Sequence, residues 1–318
     1  MPGYGRTRPE GQPPSATSTV KYSDGLEGYA LVYRLHEERE KQTVVAAVIG
    51  HDMGSPVAAT LALIRPDLFK SLVMMSSPFP GPPPPPSSSV PPATRAKKQA
   101  MADFASLDPP RKHYQVYFSG PDAEDDWLNS KQGLNHFYRG YYYYKSALHT
   151  KNKPHALGPQ WDAKAMAELP EYYLMQAEAS MSETVARGVP DVSRMREEMT
   201  WMPEEDLKVY VQEFTRSGFQ AALNHYRTKL SGLDANQFAV FAGRKIVVPT
   251  TFISGEADWG NHQDPGGLQR MQSDQVVESG QFKGCTFIAD AGHWLQQEQP
   301  EKTAGAILTF LEDCAWSP

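Results

Sequence analysis

The amino-acid sequence predicts an α/β protein, a parallel sheet interrupted by a helical insertion. Residues 43–76 read as strand, helix and strand in about 30 residues, the pattern of a βαβ unit. A proline-rich break follows. Beyond it, residues 95–235 read mostly as helix, rich in Tyr, Met and Trp, with no evident strand. Apolar strands then return at Lys245–Ile253 and Cys285–Ile288, and each runs into a polar turn.

Each element has a local reason. Residues 1–20 are polar and hold Pro, Gly, Ser and Thr, whereas residues 24–41 have helical spacing, with Leu26, Ala30, Tyr33 and Leu35 set among charges. Thr43–Ile49 is a continuous apolar run of the kind found in strands buried on both faces. Ser55 suits a helix cap and Pro56 the first turn, and Ala58–Ile64 continues that helix. Lys70–Ser76 is a second buried strand, ending at Ser77-Pro78-Phe79. GPPPPPSSSVPP then makes a stiff polyproline linker. In the tail, Ala304–Asp313 sets Ile307, Leu308 and Leu311 on one helical face. The expected division is a core of residues 1–80 and 241–318, a linker at 81–94 and a helical cap at 95–240. No internal repeat emerges.

Composition narrows the function. The formal charge is −6 and there is no dense Lys/Arg run, which argues against a nucleic-acid partner. The only cysteines, Cys285 and Cys314, sit in no Cys-x-x-Cys or Cys/His cluster, so neither a metal site nor a disulfide framework is expected. No apolar run approaches the ~20 residues of a membrane span. The N-terminus carries no apolar signal core. A cytosolic protein with two free thiols is the expectation.

The chemistry concentrates at strand ends. Gly50-His51-Asp52-Met53-Gly54 joins the first strand to its helix and has the Gly-x-Ser-x-Gly form of a nucleophile elbow, with aspartate in place of serine. In open parallel sheets, ligands bind beyond the carboxyl ends of the strands. Asp52, Asp258 in SGEADWG and His293 in DAGHW all fall there. Their chain order, nucleophile then acid then base, is that of α/β-hydrolases. Each residue also has a plainer role. Asp52 would serve as a helix cap, Asp258 as a solvated loop acid beside Glu256, and His293 as a strand-end histidine near Asp290. Three matches in order are more specific than any one, and Asp258 is preferred to Glu256. The other eight histidines, His51 included, are read as structural or solvated.

GHDMGSP, GEADWG and DAGHWLQQEQPE together resemble the epoxide hydrolase branch of the α/β-hydrolases, near the haloalkane dehalogenases, over nearly the whole chain and with most likeness to fungal-type members. The resemblance implies an α/β-hydrolase core with an inserted cap, and Asp52, His293 and Asp258 as a catalytic triad. It implies two cap tyrosines that donate to the epoxide oxygen. One family motif resembles Tyr114-Gln115-Val116-Tyr117-Phe118 and points to Tyr114. The other resembles Leu223-Asn224-His225-Tyr226-Arg227 and points to Tyr226. Met53, Phe79 and Trp294 are the expected substrate-binding residues. For the YYYY run at 141–144 and for Tyr172-Tyr173, core packing is the better reading.

The aspartate has a chemical rationale. A carboxylate can open a strained ring by displacement, and the product is an ester of the enzyme itself. Water activated by His293, which Asp258 orients, then attacks that ester. A serine ether would be inert to the same base. The tyrosine hydroxyls stabilise the alkoxide, and the Met53 N–H the tetrahedral state. No cofactor or metal is implied. The partners are a small apolar epoxide and water.

The chain departs from the family pattern in two places. Met53 stands where these families often carry Trp, which in dehalogenases helps to hold the halide. Met1-Pro2-Gly3-Tyr4-Gly5-Arg6-Thr7 resembles the segment after the family's fourth strand, and no His-Gly-x-Pro loop occurs anywhere in the chain. An amino-terminal truncation is therefore expected. It would remove one oxyanion donor, typically about 2.7–4 kcal/mol, and expose an apolar edge along Thr43–Ile49. Two rivals stay open: a dehalogenase-like hydrolase with the same nucleophile, and a catalytically dead homologue that only binds ligand.

Overall fold

The computed structural model describes residues 44–82, 92–231 and 238–314. They fall into two compact units, one of residues 44–82, 153–159 and 238–314 and one of residues 92–152 and 160–231. Segment 1–7, the helical spacing at 24–41 and most of the polyproline stretch lie outside the described residues.

In the first unit, an isolated parallel bridge between Val45 and Phe69 precedes strand β1, Val48–His51. The strand thus starts later than the run Thr43–Ile49 suggests. It is also not buried on both faces, since Ile49 is 47 % exposed. Among the described residues β1 pairs on one side only, with β2. Helix α1, Gly54–Ile64, follows, and its small residues Ala58, Ala59 and Ala62 are buried in the main apolar cluster. Ser55 is not the expected cap. It lies inside the helix, and its Oγ donates to the Ser77 carbonyl at 2.5 Å. Arg65 ends the helix because Pro66 disfavours helical backbone before it. β2, Leu72–Met75, is buried at every position because it lies between two other strands. Leu72, Val73 and Met74 are wholly buried, and each such side chain is worth about 1.5–3 kcal/mol.

The second unit is mostly helical, but it holds a small antiparallel ladder that the sequence did not announce. β3, Arg111–His113, pairs with β4, Leu174–Gln176. Three-residue strands that include Arg and Lys carry no readable alternation. His113 then caps helix α2, Tyr114–Ser119, by accepting from the Gln115 N–H at 3.3 Å. Helix α3, Gly133–Lys145, buries Tyr138, Tyr142, Tyr143 and Tyr144, and Tyr143 donates to Glu198 at 2.7 Å. Tyr172 and Tyr173 are each 2 % exposed and are likewise packing residues. Helix α4, Gln220–Ser231, carries Tyr226.

The chain returns to the first unit with β5, Thr250–Gly255, and β6, Phe282–Ile288. The sheet order is β1-β2-β5-β6, all parallel, as the βαβ reading requires. A short helix α5, Leu295–Glu298, leads into α6, Pro300–Asp313, which starts earlier than Ala304 and has Pro300 in its first turn. Phe310 and Leu295 pack on Val73, Met75 and Ile253 from the sheet. Among the described residues, no helix is long and apolar enough to cross a membrane.

Burial holds the His113 imidazole neutral, with its pKa pushed down from 6.5 to about 3, and Lys97 and Lys229 add to the effect. Between these values the unfolded chain binds a proton that the folded chain refuses. Stability from this group is therefore present above pH 6.5 and lost as pH falls toward 3. His113→Asn keeps an acceptor at the cap and removes the titration. Chemical denaturation should find that the wild type loses about 2 kcal/mol more than this variant between pH 7 and pH 5. Equal losses would show that the imidazole takes up its proton freely in the folded state.

Candidate active site

The parallel register sets His51, Met75, Ile253 and Thr286 in one row across the sheet. Asp52 is the next residue after that row, while Asp258 and His293 lie in the loops that leave β5 and β6. The first unit alone therefore gathers these three residues at the carboxyl edge.

The elbow is tight. Asp52 has a φ of 51°, a left-handed backbone that non-glycine residues adopt only at a cost. Its N–H donates to the Met75 carbonyl at 3.0 Å, and its own carbonyl accepts from the Ser55 N–H at 3.0 Å. This turn presses β1 against the start of α1. A Cβ on Gly50 would lie 2.0 Å from the Gly54 oxygen, so residue 50 must be glycine. A Cβ on Gly54 would meet nothing within 4 Å. The two glycines of the motif are thus unequal, and only the first is demanded by space. The other loops approach just as closely. A Cβ on Gly255 would lie 2.2 Å from the Gly292 oxygen, and one on Gly260 would lie 2.3 Å from the Ser76 oxygen.

His293 is wholly buried and Asp258 is 1 % exposed. The imidazole Nδ1 lies 3.1 and 3.2 Å from the two Asp258 oxygens, and its Nε2 lies 3.7 Å from Asp52 Oδ2. Asp258 also accepts from the Gly260 N–H at 2.7 Å and from Ser254 Oγ at 3.4 Å. A buried carboxylate needs such partners, because desolvation alone costs several kcal/mol. Nδ1–H facing Asp258 leaves the Nε2 lone pair directed at Asp52. That tautomer can take a proton from a water beside the aspartate. Glu256 is exposed and Asp290 is exposed beside Lys302, so neither competes for the histidine.

His51 is a neighbour of His293 that from sequence reads only as structural or solvated. Its Nε2–H donates to the His293 backbone carbonyl at 2.7 Å, and Gln296 Nε2 approaches its Nδ1 at 3.4 Å. Burial, then the neighbouring His293, push its pKa down to about 4, so it is neutral near pH 7. Its place beside Asp52 in the elbow motif was the available signal.

The remaining expected residues divide between the units. Met53 and Trp294 are half-buried in the first unit, and the Trp294 ring stands edge-on to His293 at 4.7 Å. Phe79 is 7 % exposed and belongs to the apolar cluster with Ala58, Met74 and Phe252. In the second unit, the Tyr114 and Tyr226 rings meet edge to face at 5.9 Å, and both pack against Phe118. Gln115 Nε2 donates to the Tyr114 hydroxyl at 3.1 Å, a contact that the sequence did not point to. Among the described residues, no group of three or more His, Cys, Asp or Glu is placed to hold a metal ion. Both cysteines are free thiols.

The elbow makes two sharp predictions. Gly50→Ala should destabilise the fold by about 1–3 kcal/mol or more through overpacking. Gly54→Ala should stay within about 1 kcal/mol of the wild type. Urea denaturation of both variants checks the pair, and equal effects would contradict the tight packing at residue 50.

Comparison with known proteins agrees with this geometry. The family model described as alpha/beta hydrolase fold matches residues 1–300. Epoxide hydrolase B of Mycobacterium tuberculosis is 30 % identical over 272 residues, which cover 84 % of this chain and 71 % of that protein. Epoxide hydrolase 3 of Siraitia grosvenorii is 25 % identical over 317 residues, covering 97 % of this chain and 80 % of that protein. Among solved structures, an epoxide hydrolase from an endophytic Streptomyces superposes with a TM-score of 0.69 at 23 % identity, covering 98 % of this chain and 78 % of that one. Potato epoxide hydrolase I gives 0.67 at 22 % identity, covering 98 % and 82 %. The structural likeness speaks for the fold, and the sequence likeness for the branch. With an aspartate at the elbow and a histidine–aspartate pair behind it, the chain belongs to the α/β-hydrolase fold family, in its epoxide hydrolase branch.

Proposed function

We propose that the chain hydrolyses an epoxide to a vicinal diol through a covalent ester on Asp52. The observation that carries this reading is a carboxylate at the nucleophile elbow, 3.7 Å from the Nε2 of a buried histidine whose Nδ1 faces Asp258. An Asp52 oxygen attacks one ring carbon, and the carbon–oxygen bond of the ring breaks. Tyr114 and Tyr226 are the proposed hydroxyl donors to the leaving oxygen, one of which protonates it. They are carried over by motif resemblance.

The second step returns the enzyme. His293 Nε2 takes a proton from water as the water oxygen attacks the Asp52 ester carbon. Asp258 stabilises the imidazolium that forms, and the Met53 N–H is the proposed donor to the tetrahedral oxyanion. Collapse expels the diol oxygen, which takes the proton back from His293. The water's other proton, left on the Asp52 acid, returns to the tyrosinate formed in the first step, so Asp52 is again a carboxylate and the tyrosine neutral. Met53 and Trp294 are the proposed ligand-facing side chains of the first unit. The likeness to fungal-type members and a cytosolic location belong to the same reading and rest on the sequence.

Histidine removal separates the two steps. In His293→Gln, with the fold first checked by circular dichroism, a reactive aryl epoxide should leave a stoichiometric adduct. Intact mass and peptide mapping should place it on Asp52. A folded variant with no adduct overturns the reading, and halide release from a haloalkane would redirect it to the dehalogenase rival. Tyr114→Phe and Tyr226→Phe should each slow adduct formation by about 10²-fold or more. Rapid-quench kinetics measures this, and unchanged rates would remove the tyrosines from the mechanism.

A further inference from the structure

We propose that Glu298 is a positioning residue for His293, gripping one end of a peptide bond whose other end is held by His51. The inference rests on the ester mechanism above and assigns a role to a carboxylate which that mechanism leaves unused. Glu298 is 9 % exposed, in a setting where an acid is costly unless it is fully engaged. One of its oxygens accepts from both the Gly292 and Trp294 N–H groups at 3.0 Å, and the other also accepts from Gly292 at 3.0 Å. These N–H groups flank His293 on either side.

The Trp294 N–H and the His293 carbonyl belong to the same planar peptide unit. Glu298 holds its nitrogen end. His51 Nε2 holds its oxygen end at 2.7 Å, with Ser76 Oγ more distant at 3.5 Å. Pinning both ends fixes the peptide plane and so the direction in which the His293 Cα–Cβ bond leaves the backbone. The ring is fixed from its far side by Asp258. Charge-assisted bonds of this kind are about twice as strong as neutral ones. The geometry also explains why an acid closes a helix as short as Leu295–Glu298, for its carboxylate folds back onto the amides at the start of that turn.

The role is specific to the second step. Asp52 attacks without His293, so loosening the base should slow ester hydrolysis and spare ester formation. In a two-step scheme kcat and KM then fall together while kcat/KM holds. Loss of folded enzyme would instead lower kcat at constant KM.

The test uses full-length protein with the aryl epoxide. Glu298→Ala should lower kcat and KM by the same factor, roughly 10- to 100-fold, and accumulate the Asp52 ester at steady state. Glu298→Gln, which keeps an acceptor oxygen, should fall between this variant and the wild type. If Glu298→Ala fails to fold, Glu298→Gln and His51→Phe carry the test, and both should lower kcat and KM together. His51→Gln, which keeps a donor, should be milder than His51→Phe. Unchanged constants, or a fall of kcat at constant KM, would overturn the proposal. A wild type that turns over beside an unaffected Glu298→Ala removes this inference alone. A wild type that forms neither ester nor diol removes the hydrolase reading as well.

Discussion

The burial of one hydrogen-bonded pair organises the site. Asp258 and His293 both lie out of water, and the carboxylate could not be carried there alone, because an unpaired charge inside a protein costs several kcal/mol. The loops after β5 and β6 must therefore meet, and they must meet closely. Gly255 and Gly260 supply the space for backbone to touch backbone. The parallel register does the rest, since strands running in one direction deliver the loops that follow them to one edge. Asp52 joins from the third loop through a strained turn rather than through a charge pair.

Much of this was legible in the sequence because it depends on local patterns. The βαβ unit, the returning strands and the elbow each carry a signal within a short window. Asp258 is preferred to Glu256 from its motif; it lies beside His293 Nδ1, and Glu256 is exposed. What was illegible is long-range or too short to have a period. The ladder of Arg111–His113 with Leu174–Gln176 joins distant segments of three residues each. Ser55 fits a capping position by type, yet its hydroxyl finds a better acceptor at Ser77, across the elbow. His51 and Glu298 act through backbone atoms, which a side-chain motif cannot reveal.

Two kinds of support surround His293, and they differ in physics. Asp258 acts on the ring and changes its electronics, since it faces the nitrogen that keeps its proton. His51 and Glu298 act on the main chain and change only where the ring stands. A neutral His51 is needed for this division. Its burial keeps it uncharged, so it donates one hydrogen bond without placing a second cation beside the base.

Among the described residues, three non-glycine residues adopt left-handed backbone, namely Asp52, Ser76 and Asp290, and each closely follows a strand of the sheet, β1, β2 and β6. Side chains in that region cost of order 1–3 kcal/mol apiece. The described left-handed side chains are thus concentrated along the carboxyl edge, where the proposed chemistry lies. For anyone evolving this chain toward heat resistance, the consequence is a conflict of address. The sites where a simple exchange would most readily gain robustness adjoin the reactive groups. Durable improvement therefore has to come from the helical faces and the far ends of the strands, where sequence can drift without consulting the reaction.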